Sequence, residues 1–264
     1  MLWLIALGVL GAMTVVMVVA WAFGLARGNG GWTDVFWTWG TGATLAAAAL
    51  CPLTGASPEP RQWLVAAFMA AWGVRLGLYL TPRVAGHPED SRYAGFRDQF
   101  VDRYPINMLW VTLPQAPASA LLALSVVLAA RRPEAELDLR DALGVAIFVL
   151  ALAGETLADA QMKRFRADAA NRGQVMDRGL WAWSRHPNYF FQWLGWMAYP
   201  AMALDPSRPI TWLSLTAPAV MFGLLRYVSG VPPLEETMLK SRGDLFRAYQ
   251  ARVSVFFPLP PRTR

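Results

Sequence analysis

Eight polar residues stand at or near the ends of apolar runs, where a membrane-embedded chain has least reason to place them: Asp159, Lys163, Arg166, Arg185, His186, Asn188, Glu235 and Glu236. They fall in two stretches, 155–192 and 231–261, separated by little but apolar sequence. A charge cluster at converging helix ends predicts a pocket for a charged cofactor, with an apolar cavity beyond it for a lipophilic substrate. That combination is the chemistry of a lipid-modifying membrane enzyme.

The spacing of these residues narrows what each can do. Glu155, Asp159, Lys163 and Arg166 recur at intervals of four, four and three, which aligns them on one face of a helix leaving the membrane. A salt-bridged helix end explains Asp159 and Lys163, which stand in the favourable order, but not an acid as deep as Glu155. Asn188 and Gln192 repeat the four-residue interval after Pro187, at a predicted helix start. Such an amide pair binds a carboxamide or a ribose, or ties one helix to another. Arg75 and Tyr79 share one helical face within an apolar span. A charge there costs about 2.5–3.5 kcal/mol on insertion scales, so it faces a partner or a wet cavity. The plain alternative is that Arg75 snorkels to the headgroups, a reach of roughly 7–8 Å by helical rise. Asp34 opens another span, where the helix dipole favours an acid in any case. Gln115 lies between two prolines inside a span, and His87 and His186 each precede a proline.

The elements that must position these residues are helices. Hydrophobic residues make up 55% of the 264 and charged residues only 16%, against about 25% in soluble domains. Seven apolar segments can be drawn, at about 2–26, 33–53, 62–81, 107–130, 141–161, 188–204 and 209–230. The expected fold is therefore all-α: a polytopic integral membrane protein with one transmembrane domain over 1–264 and about seven spans. The apolar N-terminus lacks a basic n-region and reads as a first span, not a cleaved signal. Seventeen basic residues fall in 27–31, 81–106, 162–187 and 231–264, five in the opposite loops (Arg61, Arg131, Arg132, Arg140, Arg208), and Arg75 and Arg226 within spans. The asymmetry puts the N-terminus outside and the C-terminus in the cytoplasm, as in a bacterial inner membrane. The tail 231–264 is expected to form an interfacial helix after Pro232 and Pro233. Leu234, Met238, Phe246 and Tyr249 would face lipid or protein, and Lys240, Arg242 and Arg247 water.

Several function classes drop out. The single Cys51 leaves no disulfide and no multi-cysteine metal site, and no metal is expected. The net charge of +6 sits in loops that set topology and touch anionic lipid. No basic stripe is interleaved with aromatics, so nucleic acid is not an expected partner. GxGxxG, the Walker lysine motif, HExxH and GxSxG are absent, so any nucleotide is held by helix ends and loops.

The segment GLWAWSRHPNYFFQW, the EDSRY at 89–93 and the tail LEETMLKSRGDLFRAYQARVSVFFPLPPR resemble the bacterial branch of the steroid 5α-reductase-like membrane proteins. The resemblance covers most of the chain. It implies an NADPH-dependent reductase of an enone double bond in a steroid, polyprenol or other lipid. It further implies cofactor contacts at Asp159 and Arg166 and a nicotinamide contact at Asn188, with Arg75 and Tyr79 near an Arg and a Tyr of the third span. Asp34 is the acid available where that family carries a glutamate to orient the substrate carbonyl. On this reading Lys163 and Arg166 hold phosphate, Asn188 and Gln192 fix the nicotinamide, and Tyr79 or Asp34 supplies a proton. The chain is also similar to membrane methyltransferases of the isoprenylcysteine and phospholipid type. There Arg185, His186 and Tyr189 would bind S-adenosylmethionine and Glu235 or Glu236 its amino-acid part. A non-enzymatic lipid-binding protein is the third possibility, against which the aligned polar residues inside spans argue.

Overall fold

A computed structural model describes residues 1–52, 57–89, 91–134 and 136–262. Asp90 of EDSRY, the side chains of Ser91 and Arg92, and Arg264 of the basic tail lie outside the described residues. Every regular element among those described is helical. In chain order these are α1 (Leu2–Arg27), α2 (Trp32–Leu50), α3 (Pro60–Gly86), α4 (Ser91–Phe100), α5 (Tyr104–Thr112), α6 (Gln115–Ala130) and α7 (Leu139–Ala167). There follow α8 (Pro187–Trp196), α9 (Ala198–Ala203), α10 (Thr216–Gly223), α11 (Val231–Arg242) and α12 (Asp244–Arg252). Among the described residues, five helical stretches are long and apolar enough to cross a membrane: Leu2–Arg27, Pro60–Gly86, Tyr93–Ala130, Leu139–Ala167 and Pro209–Arg242. The chain therefore has the make-up of a multi-pass membrane protein. The segment expected as one span at 188–204 is broken between α8 and α9. The expected interfacial helix of the tail is two helices, α11 and α12, divided at Gly243, whose φ of +51° suits glycine.

The chain divides into two compact units. The first comprises Met1–Ala142 and Tyr199–Ala217. Here α2 packs against α1, α3 and α6. The closest approach is between α2 and α3, where a Cβ on Gly42 would lie 2.9 Å from the Gly73 Cα. Only two glycines allow backbones to meet this way, the small-residue packing that lipid-embedded helices use. One turn along, Gly77 leaves room for the Trp39 indole, which donates to Thr81 Oγ1 at 3.1 Å. Trp37 and Thr41 of α2 both bond Ser119 of α6 at 3.0 Å, satisfying groups that hydrocarbon cannot.

The helix ends of this unit are knotted by a buried charge cluster. Arg61, at the start of α3, is fully buried and grips both carboxylate oxygens of Asp141 in a fork of 2.9 and 3.0 Å. Its remaining donors reach the carbonyls of Arg132, Glu134 and Glu136. Arg132 also bonds Asp141 at 3.0 Å, Asp138 at 2.7 Å and the Met202 carbonyl at 3.1 Å. Arg131 and Arg140 close the knot on the carbonyls of Cys51 and Leu204. Charges that the sequence presents as loop cations thus work inside the fold. At the α1–α2 turn, α4 docks through Glu89, which accepts from the Gly30 N–H at 2.6 Å and from Arg97 at 3.3 Å.

The second unit comprises Leu143–Ala198 and Pro218–Arg264. Gly154 of α7 faces the Phe191 ring with no space for a Cβ, and a Cβ on Gly195 would lie 3.6 Å from that of Ala151. These contacts set α7 and α8 antiparallel. Phe190, Trp193, Phe222, Phe256 and Phe257 form an edge-to-face cluster that joins α8 and α10 to the tail. A π-helical turn, Leu224–Val228, follows α10, and Gly230 presses on the backbone of Leu225. Phe246, Tyr249 and Val253 are buried against Val175, Met238 and Leu239. The predicted apolar face of the tail is therefore covered by protein, while Lys240 and Arg247 are exposed.

Candidate functional site

The predicted site residues fall on both units. Asp34, Arg75 and Tyr79 belong to the first. Asp34 lies in the first turn of α2, half-buried, and accepts a hydrogen bond of 2.9 Å from the Tyr93 hydroxyl. Tyr93, the last residue of EDSRY, is 5% exposed and was not singled out by spacing, because its partner is 59 residues away. The four-residue interval of Arg75 and Tyr79 does bring them together: the guanidinium carbon stands 5.7 Å from the ring centroid, within cation–π range.

The remaining candidates are on the second unit and sort into three groups. The first is the RHPN turn and the tail. Arg185 bonds both oxygens of Glu235, at 2.7 and 3.3 Å, and donates to the carbonyls of Val253 at 2.7 Å and Gln250 at 3.2 Å. His186 Nε2 lies 3.1 Å from the same carboxylate, and Gln250 Nε2 donates to it at 2.8 Å. Ser184 accepts from the His186 N–H and donates to the Phe256 carbonyl. Burial pushes the His186 imidazole below its usual range; Arg185 and Arg226 add to the fall and Glu235 opposes it. Arg226 thus comes within electrostatic reach of His186, on the π-helical turn, and its guanidinium lies over the Tyr227 ring at 4.8 Å. One arginine, a histidine and an amide converge on a single carboxylate, with Arg226 within electrostatic reach of the histidine. Gln250, Ser184 and Arg226 complete this group and are not evident from motif spacing.

The second group lies deeper. Asn188 Nδ2 donates to Asp159 Oδ1 at 3.4 Å. The antiparallel register places Glu155 level with Gln192, one turn further into the helix pair. All three of Glu155, Asp159 and Gln192 are less than 9% exposed, and Gln192 Oε1 is buried with no hydrogen-bond partner among the described residues. A buried unsatisfied acceptor costs about 1–3 kcal/mol; Arg131 Nε and Ser214 Oγ are buried in the same state among the described residues, so the feature is not confined to this group. The rung Asp159–Asn188–Gln192 offers acceptors for an N–H₂ group and a donor for a carbonyl, the complement of a carboxamide.

The third group is open to solvent. Lys163 and Arg166 are exposed at the end of α7, and Lys163 forms no ion pair among the described residues, so the expected Asp159–Lys163 bridge is not made. Glu236 points away from Glu235 and pairs with Lys240 at 2.7 Å. One step of 100° on α11 separates a buried structural acid from a surface one. No cluster of three or more His, Cys, Asp or Glu able to hold a metal occurs among the described residues.

Comparison with known proteins identifies a relative in Schizosaccharomyces pombe, described as uncharacterized protein C594.04c and 31% identical over 96 residues. The match covers 36% of this chain and 27% of the yeast protein, so it takes in only about a quarter of that relative, and it counts against the expectation of a purely bacterial protein. No solved structure matches. A family model described as protein of unknown function (DUF1295) matches residues 20–253, a stretch that includes all three groups of site residues, and the chain belongs to that family.

Proposed function

We propose that the protein is a membrane-embedded, NADPH-dependent reductase of an enone C=C bond in a steroid-like, polyprenoid or other lipid substrate. The observation that carries this reading is the buried rung Asp159–Asn188–Gln192, with the Gln192 carbonyl oxygen unpartnered among the described residues. Its donors and acceptors fit a nicotinamide carboxamide, and the cations Lys163, Arg166 and Arg226 of the same unit suit phosphate. When bound, the reduced cofactor supplies a hydride. Asn188 and Gln192 orient the carboxamide, and the apolar helices exclude water from the reacting carbon. The resemblance assigns proton donation to Tyr79, over whose ring the Arg75 guanidinium lies at 5.7 Å. Asp34, held by Tyr93, is the second proton-bearing group. The resemblance to the steroid 5α-reductase-like proteins supports the same assignment. It also supports a seven-span topology with the N-terminus outside and the C-terminus in the cytoplasm, which in a bacterium is the inner membrane.

The methyltransferase reading needs a free carboxylate for the amino group of S-adenosylmethionine. Glu235 already accepts from Arg185, His186 and Gln250, and Glu236 lies on the surface. The test is a titration of the detergent-purified protein with NADPH, NADH and S-adenosylmethionine, following nucleotide fluorescence and melting temperature. Saturable NADPH binding that Arg166→Glu abolishes is the expected outcome; stabilisation by S-adenosylmethionine alone overturns the assignment.

A further inference from the structure

Between α1, α2 and α5 of the first unit lies a small cleft. Trp21, Leu25 and Met108 give it apolar sides, and the buried hydroxyls of Thr33 and Thr112 stand 3.5 Å apart in its lining. Its space is about 10 Å³, room for at most one water. Helix α4 is what shuts it. Tyr93 packs in one cluster with Tyr104 and Met108, and Phe96, Phe100, Trp21 and Leu25 close around them. The Tyr93 ring rests on Gly30, where a Cβ would lie 2.7 Å from the ring. Only glycine permits that contact.

Polar bonds fasten α4 in place. The Tyr93 hydroxyl donates to Asp34 at 2.9 Å, and Glu89 accepts from the Gly30 N–H at 2.6 Å. Arg97 donates to the Gly28 carbonyl at 3.2 Å and lies over the Tyr104 ring at 4.4 Å. At the other end the chain leaves α4 through Val101, whose φ is +32°, the one positive value outside glycine among the described residues. A β-branched residue there is strained, at a cost of about 1–3 kcal/mol. The Val101 side chain is 68% exposed, so its own packing does not hold the conformation. The docking of α4 does. The cleft is therefore closed against a turn that relaxes when the fastenings let go.

We infer that α4 is a hinged cover, latched on Asp34 and on the α1–α2 turn and sprung at Val101, whose lifting opens the cleft between α1, α2 and α5. Opening uncovers Asp34, Met108 and the two threonine hydroxyls together. The inference is independent of the proposed reductase, since none of its residues belongs to the Asp159–Asn188–Gln192 rung.

The test is the rate at which a maleimide labels a cysteine under the cover, in the full chain in mild detergent, with Cys51→Ser removing the native thiol. Met108→Cys puts the probe in the cluster that α4 covers, and Ala123→Cys, fully buried on α6, reports unfolding of the unit. Where closing is fast, the labelling rate follows the open population. Tyr93→Phe is expected to speed labelling at position 108 about tenfold, the effect of one hydrogen bond to a carboxylate. Val101→Gly is expected to slow it about fivefold, because relief of the strain favours the closed form. Position 123 keeps its rate in both. Should Met108→Cys not fold, Val111→Cys, partly buried against the same cluster, takes its place. Equal rates with and without the two substitutions, faster labelling in Val101→Gly, or parallel changes at position 123 overturn the proposal.

Discussion

The molecule contains two arginine–carboxylate clusters that look alike in composition and differ in what they join. Around Asp141, Arg61 and Arg132 are 0% and 5% exposed, and the Arg61 guanidinium spends its donors on Asp141 and three carbonyls. Around Glu235, one carboxylate serves Arg185, His186 and Gln250, and Arg226 stands within electrostatic reach of His186. The first cluster ties helix ends together through buried ion pairs and carbonyls, although Arg131 Nε there is buried with no hydrogen-bond partner among the described residues. The second gathers side chains of one turn and of the tail on one acid, and a turn deeper on α8 the Gln192 amide oxygen has no hydrogen-bond partner among the described residues. Composition and unpaired atoms do not tell such clusters apart; what each one joins does.

The largest effect that would break this contrast is expected from Asp141→Ala. It strands two buried arginines, a loss of about 3–5 kcal/mol, read as collapse of the detergent-phase melting temperature or of folded yield. Retained stability would show that the first cluster is not the closed knot described. Glu235→Gln is expected to cost less, about 1–3 kcal/mol, because Arg185 keeps its two carbonyls and part of its solvent. Its signature is proteolytic release of α11 and α12 while the first unit stays intact.

A pH series sharpens the second cluster. His186 has a folded pKa below its unfolded value near 6.5, so the unfolded chain binds more protons in acid. Stability is full above about pH 6.5 and falls as pH drops through the depressed value. The groups facing the ring are Glu235, Arg185, Arg226 and the stacked Tyr189. A His186→Gln variant is expected to flatten the melting temperature between pH 6.5 and 5; an unchanged slope assigns the acid sensitivity elsewhere. The smallest effect on stability is expected from Gln192→Leu, neutral or stabilising by at most about 1–3 kcal/mol, since it deletes a buried unsatisfied acceptor. The same variant loses NADPH binding if the rung holds the carboxamide. Lost stability with retained binding would make Gln192 a packing residue.

The helices were legible in the sequence because lipid enforces a simple rule of apolar length, and five of the seven drawn segments fall within helical stretches that are, among the described residues, long and apolar enough to cross a membrane. The two outside that set are 33–53, which α2 occupies as far as Leu50, and 188–204, where the chain turns at Met197 between α8 and α9. The local pairs were also legible: Arg75 with Tyr79 follows from helical phase alone. What spacing could not yield were partners far along the chain. Arg131 and Arg132 count as topology signals in a tally of loop charges, yet their ligands include carbonyls of Cys51 and Met202, some 70 to 80 residues away. Glu235 and Glu236 are indistinguishable in a sequence, and only the direction in which α11 docks tells them apart.

One feature of the tail bears on how the protein is made. Arg185 Nη1 is satisfied by carbonyls at Gln250 and Val253, the Arg185 N–H by Ser254, and the Trp183 carbonyl by Leu259. Those acceptors and that donor emerge from the ribosome some 65 to 75 residues after the turn they complete. Until then the RHPN segment must wait at the membrane with a charged side chain lacking its final ligands. Maturation of this unit is accordingly a post-insertion event, gated by the arrival of residues 250–259. A fusion or truncation that holds this stretch away from the bilayer would leave helices correctly inserted but the turn unlocked, a defect of assembly that insertion assays alone would pass over.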